Sequence, residues 1–321
     1  MEQTKALSPW ERVPRTAAGE GRWAIPSQLQ RPPLQRVSSF DSPTMKQEFS
    51  LAHLTCLNCS PPELIEVAAR TGYDYVSLRP IAVTPNEPKY PLGEDKNLLK
   101  RTKAALADTG LELLDIELAR ILPDVNPKTY VPAFEAAAEL GGRHVLSSGW
   151  TPDRNYVAER FAEICDLARP FGLTVDFEFV TFAAMGTLAD AAAVVGSAGR
   201  DNGGICIDTL HFYRSNTQLE ELDDLPKSWF RFMQLCDAPK ESPATTEGLI
   251  FAARSDRKFV GEGGLNLASV INRLPAMPYS LEIPNAKLAL TMSPMDVAKK
   301  AIDTAKAYLD ATRLAPAMTK T

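Results

Sequence analysis

From residue 48 the chain alternates between two patterns of apolar spacing. Short runs of alternating or continuous apolar residues read as strands. Longer stretches with apolar residues at i, i+3 and i+4 read as helices. Phe49 to Cys56 reads as the first strand. Ser60-Pro-Pro-Glu63 then supplies a capping box with proline in the first turn, and Leu64, Ile65, Val67 and Ala68 form the apolar stripe of a helix closed by Gly72.

The alternation continues without a break. Strands are predicted at 75–81, 111–118, 144–148, 173–180, 204–209, 229–236 and 279–283. The helices between them are predicted at 97–108, 130–140, 155–169, 188–195, near 219–222 and at 267–274, and Ser293-Pro-Met-Asp296 opens the last. Eight strands each followed by a helix imply parallel strands joined by crossover helices. No glycine-rich dinucleotide turn follows the first strand, which favours closure into a (β/α)8 TIM barrel over an open doubly wound sheet. Residues 238–266, between strand seven and its helix, read as one long loop, a length that usually marks a functional lid or disorder.

Residues 1–45 break the pattern. Pro14, Pro26, Pro32, Pro33 and Pro43 stand among Ser, Gln and Arg with no apolar face. The segment reads as a disordered tail, and Met45 offers an alternative start. Arg12, Arg15, Arg22, Arg31 and Arg36 hint at a mitochondrial presequence, but Glu2, Glu11, Glu20 and Asp41 interrupt it. The expected organisation is therefore a tail over 1–45, one barrel domain over 46–315 and a short C-terminal tail over 316–321.

Composition agrees with a soluble globular chain: 45% hydrophobic and 23% charged over 321 residues. One barrel accounts for roughly 250 of these. The net charge of −5 argues against broad nucleic-acid binding, which needs a surplus of Lys and Arg. No apolar run approaches the roughly 18 residues of a membrane span. Five scattered cysteines do not form a disulfide framework, which points to a reducing, cytoplasmic setting. Cys56 and Cys59 make a C-x-x-C with no second pair to complete a zinc site, so they read as small residues where a strand ends.

In such a barrel, active sites form at the carboxyl ends of the strands. Polar residues found there are Glu178 on strand five, Asp208 on strand six, Gln234 and Asp237 on strand seven, and Glu282 on strand eight. A carboxylate buried on both faces of a strand is costly unless paired or bound to a metal. Four neighbouring strands accept that cost near one end. One such residue alone reads as a strand cap or part of an ion-pair network; four together point to a site. Glu, Asp, Gln and Glu offer hard oxygen ligands suited to Mn2+ or Mg2+, with Co2+ an option.

The histidines divide by position. His144 begins a strand at the stability end and reads as structural. His53 on strand one and Glu117 at the end of strand three are candidate pocket residues. His211 lies three residues beyond Asp208 and is the candidate acid or base. Arg214, Arg254 and Arg257 are candidates for an anionic or hydroxyl-rich substrate, since Arg recognises carboxylate or phosphate bidentately; simple solvation is the bland alternative for the last two. Glu262 reads as a partner that holds the loop.

The run Asp208-Thr-Leu-His211-Phe-Tyr-Arg214 resembles the D-x-x-H-x-x-R signature of the sugar isomerase/epimerase superfamily with xylose-isomerase-like barrels. Gln234-Leu-Cys-Asp237-Ala resembles its strand-seven motif, Gly261-Glu-Gly263 its G-E-G loop, and Leu281-Glu282-Ile283 its last-strand glutamate. The resemblance covers residues 48–312. It implies that Glu178, Asp208, Gln234 and Glu282 are metal ligands, that Glu178 and Glu282 exchange a proton with a keto-sugar or polyol-like substrate through an enediolate, and that the protein is a homo-oligomer. Many epimerases of the superfamily carry His where this chain has Gln234, whereas the dehydroshikimate-dehydratase-like branch carries Gln. A lyase that expels a β-hydroxyl with help from His211 is therefore the alternative. A non-catalytic sugar-binding barrel is a further alternative. An endonuclease-IV-like nuclease needs a cluster of histidines that three scattered ones cannot supply.

Overall fold

The computed structural model describes residues 46–314; both expected tails, 1–45 and 316–321, lie outside the described residues. Eight parallel strands close into a barrel in sequence order. They are β1 (Phe49–Leu51), β2 (Tyr75–Leu78), β3 (Glu112–Ile121), β4 (His144–Gly149), β5 (Thr174–Glu178), β6 (Gly203–Asp208), β7 (Met233–Leu235) and β8 (Tyr279–Leu281). β1 pairs with both β2 and β8, so no edge is left open.

The helices are α1 (Pro61–Thr71), α2 (Lys96–Thr109), α3 (Val131–Glu139), α4 (Arg154–Ala168), α5 (Leu188–Ala198), α6 (Thr209–Arg214), α7 (Thr246–Ser255), α8 (Leu267–Ile271), α9 (Ala286–Thr291) and α10 (Pro294–Leu314). The capping box at Ser60 and Glu63 forms as its spacing requires, and Gly72 takes the left-handed cap that ends α1. No helix among the described residues is long and apolar enough to cross a membrane.

Strand alternation sorts side chains into two environments. Outward-facing Phe177, Ile205, Ile207, Met233, Leu235 and Leu281 pack in the main core against the helices. A smaller cluster of Tyr75, Leu114, Leu118, Leu146, Cys206 and Phe232 fills the interior of the barrel. The same alternation turns Glu178, Asp208, Gln234 and Glu282 inward. Asp208 pairs in register with Gln234, and Gln234 with Ser280.

Four sequence expectations need correction. β1 stops at Leu51, and His53–Cys56 form a 3-10 turn that carries the chain off the barrel rim. β7 is shorter than expected because Lys227–Trp229 make another such turn. The segment 238–266 is not a plain loop, since it contains the ten residues of α7. A six-residue helix, α6, follows β6 directly, with Asp208 as its N-cap.

Candidate active site

Glu178 and Asp208 are the last residues of β5 and β6, Gln234 is central in β7, and Glu282 follows β8. Asp208 accepts the backbone N–H of His211 at 3.0 Å. This cap turns the imidazole back over the strand ends. Glu178, Asp208 and His211 each offer a ligand atom within 4.8 Å of the other two. His211 Nε2 lies 4.0 Å from Glu178 Oε1, while Nδ1 is 3.1 Å from Thr181 Oγ1.

Gln234 and Glu282 form the other half of the group. Gln234 Nε2 donates to Glu282 Oε1 at 3.1 Å, which leaves Gln234 Oε1 buried with no hydrogen-bond partner. Arg257, just beyond α7, reaches across both halves. Its Nη1 donates to Asp208 Oδ2 at 2.5 Å and its Nη2 lies 3.0 Å from Glu282 Oε2. Its Nε donates to the Ala253 carbonyl, so the guanidinium is fixed from α7.

The electrostatics follow from burial. Glu178 is pushed well above the usual carboxylate range by loss of solvent, and then by the charges of Glu282 and Asp208. Glu282 is pushed up to about 8 by burial, against the pull of Arg257. Burial alone would raise Asp208 as well, but Arg257 and His211 bring it below its ordinary value. Burial lowers His211 to about 4, so its imidazole is neutral near pH 7.

With every group ionised, three carboxylates face one guanidinium, a surplus of two negative charges. An unpaired amide oxygen sits among them. Convergent hard oxygens, an orphaned buried acceptor and that surplus are what a divalent cation satisfies, so the residues fit such an ion.

Above these groups opens a cavity of about 410 Å³. Of the residues expected at the site, Glu178, His211, Arg254, Arg257 and Glu282 line it. Asp208 and Gln234 do not reach its wall, although both are tied to residues that do.

Three others are used elsewhere. His53 is fully buried, with Nε2 2.9 Å from the Cys59 carbonyl and Nδ1 accepting the Arg79 N–H at 3.0 Å. Its ring stacks on Tyr90. Arg214 donates to the carbonyls of Pro239 and Lys240, pinning the chain after β7. Glu117 receives two bonds from Arg79, at 3.0 and 2.7 Å. Asp237 accepts the N–H groups of Gly261, Gly263 and Leu265, which fastens the glycine loop. Glu262 pairs with Lys300. All five cysteines are buried and free.

Sequence reasoning missed Arg79, Trp150 and Phe182, all on the cavity wall. Arg79 follows the last residue of β2 and Trp150 the last of β4. Their signal was position at a strand end, hidden for Arg79 because strand two read on to Ile81.

A family model described as xylose isomerase-like TIM barrel matches residues 65–308. A Bacillus velezensis protein named inosose isomerase is 23% identical over 238 residues, covering 70% of this chain and 82% of that protein. Among solved structures, the IolI protein with a bound zinc atom superposes with a TM-score of 0.70 at 17% identity, covering 83% of this chain and 99% of that one. The probable 3-DHS dehydratase AsbF of Bacillus anthracis superposes with a TM-score of 0.62 at 15% identity, covering 81% and 99%. At these identities the structures share the fold.

Proposed function

The chain belongs to the xylose isomerase-like TIM barrel family, and on that footing we propose that it is a divalent-metal-dependent isomerase or epimerase of a keto-sugar or keto-polyol. The observation that carries this reading is the inward convergence of Glu178, Asp208, Gln234 and Glu282, with His211 beside them. Relatives named inosose isomerase act in the same direction. Glu178, Asp208 and Glu282 would hold the cation, with Gln234 Oε1 or His211 completing the set. A bound divalent ion supplies Lewis acidity that polarises a carbonyl and an adjacent hydroxyl. Mn2+ and Mg2+ suit the oxygen set, and the zinc bound in the IolI structure supports Zn2+ as a further candidate.

The chain's own residues supply the rest. Glu178 and Glu282 stand three strands apart around the ring, so they reach a bound substrate from different sides. One takes the proton from the carbon beside the carbonyl and the other returns it. Neutral His211, held by Thr181, is placed to donate to or accept from a substrate oxygen. Arg257 keeps Asp208 ionised and restrains Glu282.

A dehydratase is the second reading, favoured by Gln234 and by the fold shared with AsbF. There the same proton removal is followed by loss of a β-hydroxyl, with His211 as the acid. Incubation with keto-sugars, keto-inositols and dehydroshikimate-like acids in D2O separates the two: deuterium uptake with the carbon skeleton intact marks the isomerase, loss of water the lyase. Glu178→Gln and Glu282→Gln are each expected to lower turnover by about 10²-fold or more, the usual weight of a general acid or base. Full turnover in either variant contradicts the assignment.

A further inference from the structure

Arg79, Arg254 and Arg257 line the cavity and Arg120 stacks on the lining residue Trp150; charge balance divides the four into two pairs. Arg79 is held by Glu117 at 2.7 Å, with Glu87 at 3.9 Å. Arg257 is held by Asp208 and Glu282. Both are buried and neutralised.

Arg254 and Arg120 differ. Neither has a carboxylate within ion-pair distance among the described residues. Arg254, in the last turn of α7, is exposed and lines the cavity. Its guanidinium lies 5.5 Å from the centre of the Phe182 ring. Arg120, near the end of β3, is half-buried and lies 5.7 Å from the centre of the Trp150 ring. Trp150 and Phe182 touch, with centroids 6.0 Å apart. Phe182 in turn abuts His211 at 5.7 Å.

The rim therefore reads guanidinium, indole, phenyl, guanidinium, and it stands one ring away from the imidazole. Aromatic faces hold the two guanidiniums in place without neutralising them. Arg120 is held below its ordinary value by burial, and the nearby charge of Arg254 adds to this. Two like charges beside a cavity, neither of them in an ion pair and with Glu87 acting on Arg120 only from a distance, are an arrangement that an anion relieves. The neighbouring wall is apolar, with Leu54, Leu57 and Leu118, and it suits a carbon ring better than a chain hydroxylated at every position.

We propose that Arg120 and Arg254 form an anion clamp at the cavity mouth, so that the substrate is a cyclic polyol carrying a carboxylate or a phosphate ester. The anionic group sits at the rim and the keto end faces Glu178, His211 and Glu282. The placement of the keto end rests on the enzymatic reading above; the clamp itself does not.

Calorimetric titration of the full chain with three probes built on a six-membered ring tests it: neutral myo-inositol, the carboxylate quinate, and myo-inositol 1-phosphate. At least one anion is expected to bind about tenfold or more tightly than myo-inositol, as charge-assisted bonds to two arginines require. Comparing quinate with the phosphate ester identifies which anion the clamp prefers. The double variant Arg120→Gln, Arg254→Gln is expected to erase that preference while myo-inositol binds as before, and Arg254→Lys is expected to keep part of it. Equal binding of neutral and anionic probes, no binding of either anion, or a preference that survives in the double variant overturns the clamp. The titration is repeated on protein treated with EDTA. An anion preference that persists there without metal-dependent turnover supports the clamp and counts against the metal reading alone. Turnover without any anion preference removes the clamp alone.

Discussion

Both ring nitrogens of His53 are committed to the backbone, one facing the Cys59 carbonyl and the other the Arg79 N–H. The residue that strand position makes a pocket candidate is instead the peg of the turn after β1. Its burial has a consequence in solution. Loss of solvent lowers its proton affinity from 6.5 to about 4. Between those values the unfolded chain binds more protons than the folded one. The contribution to stability is therefore complete above pH 6.5 and is lost as pH falls toward 4, by about 3 kcal/mol for this one group. His211 titrates over the same window, so the comparison must be made by substitution. In urea melts between pH 4 and 6.5, His53→Gln is expected to show a pH dependence shallower than wild type by about one proton. An unchanged dependence would mean that the imidazole is not held neutral. The guanidinium chemistry of Arg257 marks it for substrate, and the structure shows that chemistry spent on Asp208 and Glu282.

At the scale of elements, the strands and helices α1 to α5 and α10 were legible because each presents one apolar face at a fixed period. What escaped has a physical reason. α9 buries none of its residues, so it has no stripe to find. α7 buries only Ala252 and Ala253, and Phe251 on the same helix is exposed. α6 is too short to show a period, and its start is fixed by a cap, Asp208, that is also a candidate site residue. Missing α7 hid the most about function, since it is the support from which Arg254 and Arg257 reach the cavity. The glycine loop behind it is fixed by close approach. A Cβ on Gly263 would lie 2.2 Å from Asp237 Oδ1 and 2.4 Å from the Ala238 carbonyl. Gly263→Ala must therefore shift the loop and break bonds to Asp237, at a cost of about 1–3 kcal/mol. Thermal unfolding reads this directly, and a wild-type melting temperature would show that the loop packs less closely.

At the scale of the molecule, the barrel converts a sequence spread over more than a hundred residues into one site. Alternation in each strand fixes which side chains face inward, and the ring order brings β5 to β8 side by side. That much could be read from Glu178, Asp208, Gln234 and Glu282 in their apolar runs. The division of the group into Glu178, Asp208 and His211 on one side and Gln234 with Glu282 on the other could not, because it depends on α6 and on side-chain reach. The aromatic shelf was hidden too, since Trp150 and Phe182 look like core residues in a one-dimensional pattern.

The claim beneath the functional reading is that this group holds a divalent cation, and a metal count on purified, dialysed protein tests it most directly. About one divalent ion per chain is expected, as for a single oxygen-rich site, with the count falling to a small fraction in the double variant Glu178→Gln, Asp208→Asn while the circular dichroism spectrum stays that of the barrel. A folded wild-type chain that binds no divalent ion when Mn2+, Mg2+ or Zn2+ is supplied, or a double variant that binds as much as wild type, would contradict it.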